Sequence, residues 1–156
     1  RGDLLRHTFQ ARGLTVATID TGCIRGDLEE TAWMIARTLM GPYSEAHPRM
    51  SLDAAQHPEM LDFLRPYSEA TIRHGRAIVR RAIARGEITP AVNPGLMMDL
   101  VVGAVTNHVR TTPERLRGAM EAKMQDFISE LVEAVLRGVR ATEKTENDKK
   151  SGGLSA

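Results

Sequence analysis

Few side chains in this 156-residue chain could carry out chemistry, and their spacing matches no reactive arrangement. Five histidines and one cysteine are present, but there is no His-Glu-x-x-His sequence and no cysteine pair to bind zinc. Signatures of a nucleophilic serine, a phosphate-binding loop and a dinucleotide site are also absent. A redox role for Cys23 needs an activating neighbour, and only Arg25 is near, so we expect an inert thiol. The sequence therefore predicts no catalysis, no metal site and no cofactor.

Three isolated polar residues in apolar surroundings each allow a functional and a structural interpretation. His74 or His108 could hydrogen-bond a ligand, but we favour partly buried rings bonded to a backbone carbonyl or lying at a dimer seam. Asp99 is the single charge between residues 95 and 107 and could recognise a cation. We favour a solvent-exposed position for Asp99 in the first turns of a helix, where the helix dipole stabilises a negative charge.

Five arginines form a basic region on one predicted helix. Arg73, Arg76 and Arg80 share a helical stripe, and Arg81 and Arg85 follow a neighbouring one. Such a stripe could contact an anion or DNA, but the whole chain balances 21 basic against 20 acidic residues, so we favour a solvated face. If this helix joins a ligand site, Arg73 is the expected contact for a carboxylate.

Helical periodicity dominates the chain, and alternating strand patterns are absent. Apolar residues at helical spacing predict long helices over Ile24–Met40 and over residues 59–85, 95–109 and 114–140. Pro66 should kink or split the second helix, because proline removes an amide donor and clashes with the preceding turn. Shorter helices are predicted over residues 3–11 and 52–57. The predicted fold class is therefore all-α, a bundle of about six helices.

Residues with special backbone preferences mark the ends of these helices. Gly86 should close the second long helix, and Pro94 should open the third. Thr112 is the predicted N-cap of the last helix, which begins at a proline. Residues 141–156 are polar and contain glycine and serine, which predicts a disordered tail after a single domain of residues 1–140.

The segment over residues 95–109 is too apolar for a helix with one solvated face. A helix that is apolar nearly all round must be covered on two sides. In a chain of this size the second cover is often another copy of the same chain. Hydrophobic residues make up 42% of the sequence and aromatic residues only 4%, so the core must consist of aliphatic side chains and methionines.

Three stretches together resemble the C-terminal domain of the TetR family of transcriptional regulators. They are RAIARGEI with its proline-containing link, the apolar GLMMDLVVGAVTNHV, and a final amphipathic segment that ends VLRGV. DTGCIRGDLEETAWMIARTL resembles the helix that follows the DNA-binding domain in that family. Asp3-Leu4-Leu5 resembles the start of the helix that links the two domains. The resemblance covers residues 3–139.

The resemblance implies a two-domain regulator of which this chain holds the second domain. A helix-turn-helix domain that binds operator DNA would precede it, and since Arg1 stands where an initiator methionine would be, we take the chain as a fragment or a processed product. The last two helices would pair with their symmetry mates as a homodimeric four-helix bundle, with Gly103 and Ala104 permitting close approach. The expected dimer-interface residues are Val101, Val102, Val105, Phe127, Leu131 and Val135.

The resemblance also implies a pocket for a small effector among the first three long helices. Methionine is flexible and polarisable and suits an apolar ligand, and Trp33 and Tyr67 add polar groups that could orient it. For any one of these side chains, ordinary core packing is the simpler interpretation. The expected ligand-binding residues are Trp33, Met34, Phe63, Tyr67, Met97, Met98 and Met124, with Met120 and Phe127 as further candidates.

The sequence thus predicts the cytoplasmic effector-sensing and dimerisation domain of a TetR-like repressor, with a small apolar or amphipathic ligand. A homodimeric helical interaction module with a filled core is the alternative, and a small helical enzyme is the least supported. A formal net charge of +1 argues against DNA binding by these residues themselves, so operator DNA is expected only through the helix-turn-helix domain. No uncharged apolar run approaches the roughly 20 residues of a membrane span, so we expect no membrane partner.

Overall fold

The computed structural model describes residues 18–41, 44 and 58–140, and every regular element within them is helical. The elements are α1 (Ile24–Met40), α2 (Pro58–Ala84), α3 (Pro94–Thr111), a 3₁₀ turn (Glu114–Leu116), α4 (Arg117–Ala122) and α5 (Met124–Arg140). The prediction of an all-α fold is confirmed. The predicted short helices over residues 3–11 and 52–57 and the predicted tail over residues 141–156 lie outside the described residues.

Helix α1 has the bounds that the apolar spacing predicts. It begins after Cys23, whose extended backbone (φ −147°, ψ 153°) makes it the N-cap and whose Sγ accepts a hydrogen bond from the Gly26 N–H at 3.5 Å. Asp27 lies in the first turn, where the helix dipole favours a negative charge. Gly41 ends the helix in an extended conformation. Cys23 is therefore a helix cap, a role that its sequence position did not suggest.

Helix α2 runs through Pro66 as a single element, so of the two predicted outcomes, a kink or a split, the helix is not split. The missing amide removes one hydrogen bond, and the turns on both sides of it remain helical over the 27 residues of the element. Gly86 ends the helix as predicted, with φ at +73°, where a residue without a Cβ is favoured. Its N–H donates to the Ile83 carbonyl at 3.0 Å, and the Glu87 N–H donates to the Ala82 carbonyl at 3.0 Å.

Helix α3 opens at Pro94, as predicted. The Oδ1 of the N-cap Asn93 accepts hydrogen bonds from the backbone N–H groups of Gly95 at 2.9 Å and Leu96 at 3.2 Å. At the other end, Thr112 is the C-cap of α3, and its hydroxyl donates to the His108 carbonyl at 2.7 Å. Thr112 is therefore not the N-cap of the following helix, because its side chain is engaged by the turn that precedes it.

The predicted single helix over residues 114–140 is interrupted. A 3₁₀ turn and the six-residue α4 come first, and Lys123 then leaves helical geometry (φ −105°, ψ 6°) before α5 begins. Amphipathic spacing continues through this break, with Met120 and Met124 both buried. The pattern of apolar residues alone therefore could not locate it.

The core forms where four helices turn their apolar stripes toward one another, with α3 packed against α1, α2 and α5. Residues at a spacing of four supply the stripes of α1 and α5, while α2 and α3 contribute residues from two adjacent rows. The buried residues of these stripes are Ile24, Leu28, Ala32 and Ala36 in α1; Ile78, Val79 and Ala82 in α2; Met97, Met98, Val101, Val105 and Val109 in α3; and Met124, Ile128, Val132 and Leu136 in α5.

Candidate functional site

A cleft of about 260 Å³ lies between α1, α2 and α3, beside the residues that precede α1. Ile72 lines it and is 52% exposed. Apolar side chains from all three helices and from the leading segment form most of its walls: Ile19, Met34, Ile35, Ile72, Ile78, Met98 and Val102. The cleft is therefore mainly an apolar surface, partly open to solvent.

Two glycines keep the walls of the cleft close together. A Cβ on Gly75 of α2 would lie 3.3 Å from the terminal methyl of Met98 on α3. A Cβ on Gly95, in the first turn of α3, would lie 3.5 Å from both Nε and Nη2 of Arg76. The missing side chain at Gly75 lets Met98 approach α2, whereas the 3.5 Å at Gly95 is an ordinary contact distance that places the Arg76 guanidinium beside the first turn of α3.

Two charged side chains at the cleft, Arg76 of α2 and Asp99 of α3, are exposed. Within the described part of the chain neither makes a hydrogen bond or an ion pair, whether with each other or with a third residue. Arg73, which the sequence suggested as the carboxylate contact, does not line the cleft. Its guanidinium lies 3.7 Å from the carboxylate of Glu69 and its side chain is 68% exposed.

A charged cluster closes one end of the cleft; we name it the Asp27 cluster, and it comprises Asp20, Thr21, Asp27, Arg81 and Arg85. Asp27 is fully buried, and its Oδ1 accepts hydrogen bonds from the Thr21 backbone N–H at 2.6 Å and from the Thr21 hydroxyl at 2.8 Å. Its Oδ2 lies 3.5 Å from Arg85 and 3.8 Å from Arg81. The cluster therefore joins the first turn of α1 to the last turns of α2.

Arg81 belongs both to this cluster and to the cleft wall. Its guanidinium donates to the Ile19 carbonyl, and its Nε is buried without a hydrogen bond, 3.6 Å from a carboxylate oxygen of Asp20. Ile19 also lines the cleft. The segment that leads into α1 is thus held by a side chain that a bound ligand would touch.

Two further carboxylates, those of Glu87 and Glu133, connect parts of the bundle. The Glu87 carboxylate accepts from the Ile24 N–H at 2.5 Å and also hydrogen-bonds Arg85, which raises the pKa of that arginine above its usual value. Between α1 and α5, the hydrogen bond from Arg25, followed by that from Arg137, holds the pKa of Glu133 below its usual value. These contacts fix the bundle and lie outside the cleft.

The two candidate histidines and Asp99 occupy different environments. His74 lines the cleft half-buried, and its Nδ1 donates to the Ala70 carbonyl at 2.7 Å, which is the backbone bond that the sequence favoured. His108 stacks on Phe127 with ring centroids 3.9 Å apart. Asp99 is exposed in the second turn of α3, as favoured, but at the cleft.

Of the predicted ligand residues, Met34 and Met98 line the cleft. Met97 and Met124 are buried in the core and do not line it, and Met120 lies in the core as well. Trp33 faces away from the cleft toward α5, where its Nε1 donates to the Gln125 side chain at 3.0 Å. Phe63 and Tyr67 belong to α2, but their side chains lie outside the described part of the structure.

The predicted dimer-interface residues separate into three groups. Val101 and Val105 have no exposed surface within a single protomer, because they pack in the core. Val102 lines the cleft. The remaining predicted interface residues, which form a half-buried stripe on α5 beside its fully buried one, are Phe127, Leu131 and Val135.

The exposed side of α3 carries leucines that the sequence analysis did not select. Leu96 is 58% exposed and Leu100 is 51% exposed, and Gly103 and Asn107 continue the same stripe. Because α3 is apolar all round, its spacing could not show which side faces the core. On α5 the half-buried stripe lies beside the fully buried one, and the two together form the apolar face that the sequence pattern shows.

Across residues 18–41, 44 and 58–140, no three histidine, cysteine, aspartate or glutamate side chains are grouped closely enough to hold a metal ion. Over the same ranges, no helix combines the length and the hydropathy that are needed to cross a bilayer.

Comparison with known proteins adds one match. A family model described as the tetracyclin repressor-like C-terminal domain matches residues 18–135. Searches of curated proteins and of solved structures found no match. The matched residues include the cleft, the Asp27 cluster and all the helices except the last turn of α5. The chain therefore belongs to the family of TetR-like C-terminal domains of transcriptional regulators.

Proposed function

We propose that this domain senses a small ligand and dimerises within a transcriptional repressor that acts in the cytoplasm. The observation that carries the proposal is the apolar cleft of about 260 Å³ between α1, α2 and α3. Cavities lined by apolar side chains with a few polar groups are the usual form of a small-molecule site. Operator DNA would be bound by a helix-turn-helix domain, which these residues do not include.

The dimer would form through α3 and α5. The stacking of His108 on Phe127 brings the end of α3 beside the start of α5. This arrangement supports a continuous surface made of the exposed stripe of α3 and the half-buried stripe of α5. Leu96 and Leu100 leave an apolar area exposed that a second copy would cover.

Ligand binding would be coupled to DNA binding through the segment that precedes α1. Ile19 and Arg81 line the cleft, and Arg81 holds the Ile19 carbonyl just before α1 begins. A ligand that binds better to one position of this segment shifts the domain toward that position. Half-sites on DNA lie about 34–36 Å apart, so a small change in the spacing of two DNA-binding domains weakens binding to the operator.

Sedimentation equilibrium and native mass spectrometry test the two parts of the proposal. We expect the purified chain to be a dimer, and Leu100→Asp to give monomers, since a charge in an apolar interface is costly. Leu116→Asp is the matched control, because Leu116 is a leucine with 44% exposure on the 3₁₀ turn. Monomers of the unsubstituted chain, or a dimer that survives Leu100→Asp, would exclude this interface.

The ligand part is tested by filling the cleft. Val102→Trp places a large side chain there, so we expect it to abolish any small-molecule adduct seen by mass spectrometry and to leave the dimer intact. A dimer that carries no ligand, and that binds none from a set of small apolar molecules, would instead support an interaction module without a sensing role.

A further inference from the structure

Two of the charges at the cleft are opposite in sign, unpaired among the described residues and carried by facing helices. Arg76 projects from α2 and Asp99 from α3, and both line a cleft whose other walls are mainly apolar. Two other arginines of α2 have acidic partners, as Arg73 does with Glu69 and Arg81 with Asp27. Arg76 and Asp99 remain more than 4.0 Å apart and have no other partner among the described residues.

The geometry of α3 gives the approximate distance between the Arg76 guanidinium and Asp99. The Arg76 guanidinium lies 3.5 Å from the position of a Cβ on Gly95, and Asp99 is four residues further along the same face of α3. Four residues of helix span about 6 Å. A charge-assisted hydrogen bond spans about 2.8 Å, so a head group that carries both charges on neighbouring atoms can reach both side chains.

The walls and the volume limit the rest of the ligand. Ile72, Ile78, Met98 and Val102 present aliphatic surface, so the body of the ligand is apolar. About 260 Å³ is slightly below the range of about 300–1,000 Å³ for pockets that hold drug-sized molecules. The ligand is therefore small, and it covers the exposed side of Ile72.

We propose that the cleft binds a small apolar zwitterion with the chemistry of an aliphatic α-amino acid, its carboxylate on Arg76 and its ammonium on Asp99. This inference rests on the proposed sensing function and names the ligand class of the same cleft. A simple carboxylic acid would pair with Arg76 but add repulsion at Asp99. A simple amine would pair with Asp99 but be repelled by Arg76. Only a group that carries both charges can pair with both side chains.

The test is isothermal titration calorimetry of the purified chain with three matched compounds. They are L-leucine, 4-methylpentanoate, which lacks the ammonium group, and 3-methylbutylamine, which lacks the carboxylate. We expect L-leucine to bind at least about tenfold more tightly than either analogue, because each analogue leaves one charge contact unmade.

Charge-neutral variants assign each contact. Arg76→Gln should weaken L-leucine at least about tenfold and strengthen the amine, whereas Asp99→Asn should weaken L-leucine and strengthen the carboxylate, because each variant removes a like charge that repels that analogue. Arg73→Gln is the control, since Arg73 lies one turn away on α2 outside the cleft. Both test positions are exposed, so the melting temperature without ligand should not change and lost binding would not reflect unfolding.

Neutral indole, of similar size to leucine, separates failure of this inference from failure of the sensing function. If indole binds, Val102→Trp abolishes that binding and L-leucine does not bind, then the cleft is an apolar ligand site and the proposal of a zwitterionic ligand is overturned. Equal affinity for 4-methylpentanoate and L-leucine also overturns it, in favour of an acid. If neither indole nor any of the three compounds binds, both the inference and the ligand-sensing function fail.

Discussion

Removal of the buried carboxylate of Asp27 should destabilise the domain more than the loss of any other single charge in the bundle. Asp27 is fully buried, and it accepts two hydrogen bonds from Thr21 while facing two guanidinium groups. Hydrogen bonds to a charged group contribute about 1.5–3 kcal/mol each. Breaking a buried ion pair from one side costs about 3–5 kcal/mol.

The structure sets the expected value at the low end of that range. The side chains of Arg81 and Arg85 are 30% and 29% exposed, so water can solvate them after the carboxylate is removed. We therefore expect Asp27→Ala to lower the free energy of unfolding by about 3 kcal/mol, which corresponds to two charged hydrogen bonds at about 1.5 kcal/mol each. Asp27→Asn retains an acceptor for Thr21 but removes the charge, and we expect about half that loss.

Urea unfolding followed by circular dichroism at 222 nm measures these differences. Asp20→Asn is the matched control, because Asp20 faces the same two arginines at 3.6 and 3.7 Å but its side chain is 50% exposed. An exposed ion pair contributes about 0–1 kcal/mol. Equal losses for Asp20→Asn and Asp27→Asn would refute the argument from burial, as would a loss below about 1 kcal/mol for Asp27→Ala.

Two other substitutions test the cleft and the pH dependence of stability. Gly75→Ala should raise the free energy of unfolding by about 0.5 kcal/mol, because alanine favours a helix and the Met98 methyl, 3.3 Å from the new Cβ, can move into the cleft. A lower urea midpoint than that of the unsubstituted chain would show that Met98 cannot move. Glu133→Gln should be less stable than the unsubstituted chain at neutral pH. Arg25 and Arg137 depress the folded-state pKa of Glu133 below its usual 4.5, so this carboxylate stabilises the fold above that value and the advantage is lost as pH falls through the folded-state pKa. The free energies of unfolding of the two proteins, measured at several pH values, should therefore converge in acid. A difference that stays constant with pH would contradict the lowered pKa of Glu133.

Local signals were sufficient to predict most of the helix ends. Gly86 and Pro94 mark helix boundaries through backbone preferences that act within a few residues, and both predictions are confirmed. Thr112 was assigned to the wrong helix, because its hydroxyl can bond the carbonyl four residues earlier as readily as it can cap the next helix. The last predicted helix is interrupted at Lys123, where the sequence has no glycine or proline that would predict a break.

The cleft was harder to predict because its residues come from separate helices. Met98 reaches the cleft beside Gly75, whereas Met97, Met120 and Met124 lie in the core, and that division depends on how the separate helices pack together. Arg76 and Arg73 share one stripe on α2, so periodicity could not choose between them. Gly95, which faces Arg76 across the cleft, provides the difference, and that pairing exists only in three dimensions.

Under the proposed function, every side of helix α3 contributes to the core, the ligand cleft or the dimer surface, which leaves the helix little freedom to vary in evolution. Val101 and Val105 fill the core, Met98 and Asp99 face the cleft, and Leu100 lies on the exposed stripe. One residue advances a helix by about 100°, so a single insertion within α3 would move each of these sets toward the position of another. Homologues with different ligands should therefore vary α3 by substitution at the cleft positions, and changes in length should fall in the connections before Asn93 and after Thr112.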